Sequence, residues 1–281
     1  MNAVYLIATV LAIAGQNIMK KVFNLRTGGG VYFFTLLSAA AAMLFFLVTG
    51  GKPEFSAALL PYSAAFGTAY AVAVVFSVMA VSCGSLSLTT LINSYSLMLP
   101  TFYGLLFLRE PVSTGLIPGL GLLIVSLVLV NKKTESTPIT PKWVISVVLA
   151  FVGNGFCSIF QKMQQSAFDG AFKNEFMILA LVMVVAVMAV LALVSERRKL
   201  KNCAAKGWWC CLAGGTLNGV TNLFVMILSG TMAVSLMFPV ISAGGIIVTF
   251  FVSRWLYHEK LTRRQLVGFA LGVLSVIFLN L

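Results

Sequence analysis

The length of the apolar runs constrains this chain more than any other feature of its sequence. A helix must present about 20 mostly apolar residues to cross roughly 30 Å of hydrocarbon. Cut wherever charge, Pro and Gly cluster, the sequence yields ten such segments: 3–22, 31–50, 57–80, 86–108, 112–131, 143–165, 174–195, 206–228, 231–256 and 262–281. Only 9% of the 281 residues are charged and 60% are apolar, whereas a soluble domain carries about 25% charged residues. The expected class is an all-α integral membrane protein with ten transmembrane helices. The first run begins at Ala3 with no basic region before it and no small-residue cleavage site after it, so it reads as a span that is retained.

The 19 Lys and Arg outnumber the 7 Asp and Glu, but they stand in short clusters between apolar runs, as membrane topology requires. Nucleic acid is not an expected partner. Counted on alternating sides, Lys20, Lys21, Arg26, Lys132, Lys133, Lys142, Arg197, Arg198, Lys199, Lys201, Lys206, Arg254, Lys260, Arg263 and Arg264 fall on one side, 15 of the 19. Lys52, Arg109, Lys162 and Lys173 fall on the other. The positive-inside rule makes the first side cytoplasmic and leaves both termini outside. Cys83, Cys157, Cys203, Cys210 and Cys211 form no CxxC pair, and His258 is the one histidine. No metal site or cofactor is expected.

The chain carries the same pattern twice. In "REPVSTGLIPGLGLLIVSLVLVN", Glu110, Gly119, Leu122, Ser126 and Asn131 recur as Glu259, Gly268, Leu271, Ser275 and Asn280, each displaced by 149 residues. The polar stretch "NKKTESTPITPK" falls near the middle, which divides the chain into a first five-helix repeat at 1–131, a linker at 132–142 and a second five-helix repeat at 143–281. Five is odd, so the second half enters the membrane from the opposite side and the repeats are inverted. Such symmetry lets one backbone take outward-open and inward-open forms by exchanging the conformations of its halves.

Two stretches, "SLMFPVISAGGIIVTFFVSRWLYHEKLTRRQLVGFALGVL" at 235–274 and the weaker "LPTFYGLLFLREPVSTGLIPGLGLL" at 99–123, carry a family pattern. An apolar span, a short turn with Glu, then Ser or Thr, Gly and a last apolar span resembles the EamA-type transporters of the drug/metabolite transporter superfamily. That resemblance implies a secondary active transporter of small organic molecules, often an exporter, without implying a particular substrate. Small multidrug resistance relatives place an acidic residue in their first span, where this chain has none between Ala12 and Asn17. That departure argues against proton exchange of a cationic substrate by their mechanism.

All seven carboxylates, Glu54, Glu110, Glu135, Asp169, Glu175, Glu196 and Glu259, fall in loops or at span ends. The polar residues inside are neutral. Gln16, Asn17, Tyr70, Asn93 and Tyr95 in the first half, and Asn154, Ser158, Gln161, Asn218 and Asn222 in the second, are the candidate substrate-binding residues. Thr68, Thr90, Ser94, Thr221, Ser235 and Ser242 are further polar residues within spans. Amides offer both donors and acceptors, which suits a neutral or zwitterionic metabolite; the competing account is that they hold helices together. Lys20, Lys21 and Lys162 are expected to snorkel from span ends, with binding of an anionic group as the alternative. Pro100 and Pro239 lie within spans 4 and 9, where a missing N–H and a ring clash loosen a helix, so they are candidate gating or kink positions. Gly115xxxGly119, Gly268xxxGly272, Gly214–Gly215 and Gly244–Gly245 read as packing surfaces, with contact between two copies of the chain as a further use.

The function expected is export of a small polar organic metabolite or drug by alternating access, from the plasma (inner) membrane of a bacterium. A lipid-linked sugar flippase of the same superfamily and a membrane channel are the alternatives. An enzyme is not expected, since no HExxH, GxSxG or paired intramembrane aspartate is present in the sequence. Expected partners are the substrate, the bilayer, a coupling ion such as a proton, and a second copy in a homodimer. Cysteines introduced beside Glu110 and Glu259 should react with impermeant reagents from opposite sides of the membrane; labelling from one side would rule out inversion.

Overall fold

A chain segment in hydrocarbon must satisfy its own backbone polar groups, which leaves the helix as the economical solution for each apolar run. The computed structural model describes residues 2–50, 53–83, 89, 92–93, 95–110, 114–130, 140–251 and 262–279. Among these residues every regular element is helical. In chain order they are α1 (Asn2–Thr27), α2 (Val31–Thr49), α3 (Leu60–Cys83), α4 (Met98–Leu106), α5 (Leu116–Val130), α6 (Pro141–Ala167), α7 (Lys173–Ser195), α8 (Leu200–Thr231), α9 (Val234–Phe251) and α10 (Arg263–Leu279). Short 3₁₀ turns at Ala57–Leu59 and Tyr95–Leu97 lead into α3 and α4. Six stretches, α1, α2, Ala57–Ala80, α6, α7 and α8, are long and apolar enough to cross a membrane. Large apolar side chains such as Leu25, Val48, Phe107 and Val194 are more than 70% exposed, the surface that lipid requires and water penalises. The protein is a multi-pass membrane protein.

The chain divides into two compact units: Met1–Val10, Val72–Ile159 and Thr231–Leu281 form the first, and Leu11–Ala71 with Phe160–Gly230 the second. Neither coincides with a half of the sequence.

In the first unit α5 and α10 pack closely along their lengths. Ser126 Oγ donates to the Gly268 carbonyl at 2.6 Å, and Ser275 Oγ donates to the Gly119 carbonyl at 2.8 Å. Ser126 and Ser275, like Gly119 and Gly268, are the residues that recur at 149-residue displacement, so the two bonds are reciprocal. Helix α9 packs on α10 and α4, and its start is closed from outside. Glu110 Oε1 accepts from the Val234 N–H at 3.0 Å and Oε2 from the Ser235 N–H at 2.8 Å. The next two N–H groups, of Leu236 and Met237, donate to the Ala233 carbonyl. The N–H groups of Val234, Ser235 and Leu236, three that a helix start leaves without an i−4 partner, are thereby paired, and Met237 N makes the first full-turn bond of the helix. The carboxylate also lies where the helix dipole favours negative charge. Arg109, at φ 51, turns the chain so that Glu110 N donates to the Gly104 carbonyl at 3.1 Å. A Cβ on Gly104 would stand 2.5 Å from Glu110 Oε2, so the cap needs glycine there.

The second unit packs α2 against α7 around Phe46, Phe66, Phe176, Met177, Leu181 and Met188, each no more than 1% exposed. Helix α8 lies on α2 through glycines: a Cβ on Gly215 would meet the Ser38 carbonyl oxygen at 2.3 Å, and one on Gly219 the Phe45 ring at 2.5 Å. Ser38 Oγ donates to the Cys211 carbonyl across the same contact. Glu196 repeats the role of Glu110, its two oxygens accepting from Tyr32 N and Phe33 N at the start of α2. Cys203, Cys210 and Cys211 are free and buried around Phe23, packing as small apolar groups.

Several positions differ from the sequence-based expectation, among them the end of α1 at Thr27 and not near 22. Helix α8 begins at Leu200 and not near 206, because a helix does not stop where hydrocarbon ends and lysines propagate it well. Helix α6 begins at Pro141, so the last two residues of the expected linker are helical. Thr140 Oγ1 caps that start by accepting from Trp143 N, and proline suits a first helical position. Pro100 lies in the first turn of α4, where its missing N–H removes no internal bond, whereas Pro239 lies inside α9 as expected. Glu259, His258, Thr90, Ser94 and linker positions 132–139 lie outside the described residues.

Replacing Glu110 with Ala removes two charge-assisted bonds and should destabilise the protein by about 2 kcal/mol. Gly104→Ala should cost a similar amount alone and much less in the Glu110→Ala background. Thermal unfolding in detergent measures both; full additivity would mean that the glycine does not serve the cap.

Candidate functional site

In α1, α6 and α8 the polar side chains recur at helical spacing. Asn218 and Asn222 stand one turn apart with Thr221 between them, and Asn154, Ser158, Gln161 and Gln165 share a face of α6 by their spacing of four, three and four. In the second unit α1, α8 and the end of α6 converge so that several of these groups meet.

They form one continuous chain of hydrogen bonds. Gln16 Nε2 donates to Thr221 Oγ1 at 2.7 Å and, more weakly, to the Leu217 carbonyl at 3.4 Å. Asn218 Nδ2 donates to Gln16 Oε1 at 3.1 Å. Asn222 Nδ2 donates to Asn218 Oδ1 at 3.0 Å and to the Asn218 carbonyl at 2.9 Å. Gln161 Nε2 donates to Asn222 Oδ1 at 2.7 Å. Every amide accepts from the next, so their dipoles align and each bond polarises its neighbour. Gly15 allows this approach, since a Cβ there would stand 2.8 Å from Leu217. Gln161 is 3% exposed, while Gln16, Asn218, Thr221 and Asn222 are partly exposed. Three helices thus present neutral donors and acceptors at one place without a carboxylate among them.

The neighbouring turn of α6 adds a second polar group. Lys162 Nζ donates to the Ser229 carbonyl at 2.6 Å, in the last turns of α8. The last carbonyls and the negative end of the helix both favour an ammonium there. Gln164 and Gln165 are buried; Gln165 Nε2 donates to Gln164 Oε1, Gln164 Nε2 donates to the Ala171 carbonyl, and Gln165 Oε1 has no partner among the described residues.

The remaining expected site residues are dispersed. Asn17 is exposed on α1, one residue past Gln16, and Tyr70 stacks on Phe66 with ring centroids 6.1 Å apart. In the first unit Asn93 Nδ2 donates to Ser77 Oγ at 3.2 Å while its buried Oδ1 has no partner among the described residues. Tyr95 Oη donates to the Ile124 carbonyl at 3.1 Å. Asn93 and Tyr95 therefore engage different helices despite being two residues apart. Asn154 is half-buried and Ser158 buried on α6. Glu110, Gly119 and Gly268 bind backbone or carry helix contact, as described above. Thr221, to which the sequence assigns no binding role, terminates the amide chain; its position three residues after Asn218 was the available signal. Ser77, the partner of Asn93, left no comparable signal.

Breaking the chain should be measurable as coupling. Gln16→Leu and Asn218→Leu should each cost about 1 kcal/mol, and the double variant should cost less than their sum by about 0.5 kcal/mol or more. Unfolding of the four proteins in detergent reads this directly, and additive costs would show that the two amides do not act together.

Comparison with curated proteins gives no match. Among solved structures 28 chains match. One of them, titled only as the crystal structure of a protein, aligns over 99% of this chain and 95% of its own, with a TM-score of 0.78 and 12% identity, which shows a shared fold. The EamA-like transporter family matches residues 141–281, half of the chain and the stretch that includes the stronger copy of the repeated pattern. With that match over α6 to α10, the chain belongs to the EamA-like transporter family.

Proposed function

We propose that the protein is a secondary active carrier that exports a small polar organic metabolite or drug across a bacterial plasma membrane by alternating access. In this reading ten spans form two inverted five-helix repeats, with both termini outside. Family membership supports transport by a member of the drug/metabolite superfamily. The observation that carries the finer reading is the chain of amides from Gln16 through Asn218 and Asn222 to Gln161, formed by helices long and apolar enough to span a membrane. Polar groups in such helices are costly and usually functional. A set that both donates and accepts suits hydroxyl, amide or zwitterionic groups of a metabolite better than a bare cation, which would require a counter-charge. Binding would exchange amide–amide bonds for amide–substrate bonds, a nearly balanced replacement that favours release as readily as capture.

Inversion draws support from the reciprocal Ser126–Gly268 and Ser275–Gly119 bonds, since a two-fold axis relating two helices makes each contact occur twice. It also gives the repeated glutamate a purpose. Glu110 closes the start of α9.

Counterflow in proteoliposomes preloaded with a pooled metabolite mixture tests the reading. Saturable accumulation of particular labelled compounds is expected, reduced about tenfold in Asn222→Ala, the loss that one hydrogen bond of about 1.4 kcal/mol gives. Ionic current without exchange would establish a channel, and movement of a lipid-linked sugar between leaflets would establish the flippase.

A further inference from the structure

The basic turn between α7 and α8 borders an apolar groove on the second unit. Phe33 and Leu36 of α2, Ala189 and Leu193 of α7, and Lys201 and Ala204 of α8 line a concavity of about 390 Å³ whose wall is wholly apolar, Lys201 contributing its aliphatic stem. The groove lies along the last two turns of α7 and the first turns of α2 and α8. Immediately beside it Arg197, Arg198, Lys199 and Lys201 follow one another within five residues, with Lys206 a turn further on, and all five are exposed. Glu196, the one carboxylate of this segment, is already occupied by the N–H groups of Tyr32 and Phe33. Lys199 Nζ reaches the Gly28 carbonyl at 3.5 Å, and among the described residues no second carboxylate of this segment balances the cluster.

Position indicates what meets this surface. Val190 and Val194 on the adjoining face of α7 are 60% and 77% exposed, and Trp208, two turns into α8, is 53% exposed. Arg26 lies 5.0 Å over the ring of Trp209. Apolar side chains beside exposed tryptophan and arginine mark the level at which hydrocarbon gives way to headgroups. A ligand here must carry a hydrocarbon chain and a negative charge a short distance above it.

We propose that this groove binds an anionic phospholipid of the leaflet facing the basic turn, with an acyl chain against Phe33, Leu36, Ala189 and Leu193 and the phosphate among Arg197, Arg198 and Lys201. Arginine suits phosphate by its fork of donors, and Lys201 spans both environments by burying its stem and raising its ammonium. The site holds lipid as a bound component of the protein and does not depend on the transport reading.

The test uses the full-length protein, purified in mild detergent and titrated with phosphatidylglycerol or phosphatidylcholine of matched acyl chains while bound lipid is counted by native mass spectrometry. Phosphatidylglycerol should bind at a concentration at least about tenfold lower than phosphatidylcholine, since each basic residue near a headgroup contributes roughly fivefold. The exposed-surface variant Arg197→Gln/Arg198→Gln/Lys201→Gln should abolish that preference, whereas Lys132→Gln/Lys133→Gln/Lys142→Gln, which removes the same charge elsewhere, should retain it. Ala204→Phe, at an exposed position of the groove wall, should weaken both lipids. Equal affinity for the two lipids, an equal loss in the two triple variants, or unchanged binding in Ala204→Phe would each overturn the proposal.

Discussion

Inside a bilayer no water is available to complete a hydrogen bond, so every helix start in or near hydrocarbon must find acceptors for its first N–H groups. Much of this architecture follows from how that is done. Glu110 and Glu196 each leave the end of one helix and close the start of another, binding Val234 and Ser235 in one case and Tyr32 and Phe33 in the other. Thr140 closes α6 from its own chain neighbour. The two glutamates therefore do more than satisfy amides. They tie α9 to the end of α4, and α2 to the end of α7, fixing which helix begins beside which.

Packing follows a related economy. Lipid tails are as apolar as leucine, so helices gain little from apolar contact alone and depend on close approach and on polar bonds between them. Gly215 lets α8 approach Ser38 of α2 so closely that no side chain fits. Ser126 and Ser275 each bond a glycine carbonyl of the opposite helix. Gly104 combines both requirements, leaving room for the Glu110 carboxylate that binds the next helix.

The amide chain of α1, α6 and α8 spends polar groups where the bilayer penalises them. Once paired, neutral amides carry none of the desolvation cost of a charge, and they can exchange partners at little net cost. Such a network can hold helices together in one state and receive a polar ligand in another. Lys162, the residue after Gln161, donates to the Ser229 carbonyl near the end of α8 and so ties α6 to α8 beside the network.

The sequence by itself determined the membrane class and the helical character of its apolar runs, because hydrophobic length and polar interruption are local properties. It also pointed to the family through the repeated Glu, Gly and Ser, of which the Gly and Ser make one helix contact twice. It identified Gln16, Gln161, Asn218 and Asn222 as polar residues within spans. Only the tertiary structure decided that these four meet, since Gln16 and Asn218 are separated by 202 residues and no local pattern encodes that distance. It also separated Asn93 from Tyr95, which chain proximity had grouped, and gave Lys162 the Ser229 carbonyl near the end of α8 as its partner. Hydrophobicity sets what each segment becomes within a few turns, whereas hydrogen-bond partners depend on helix rotation and approach, which are fixed only when small residues elsewhere allow the helices to close.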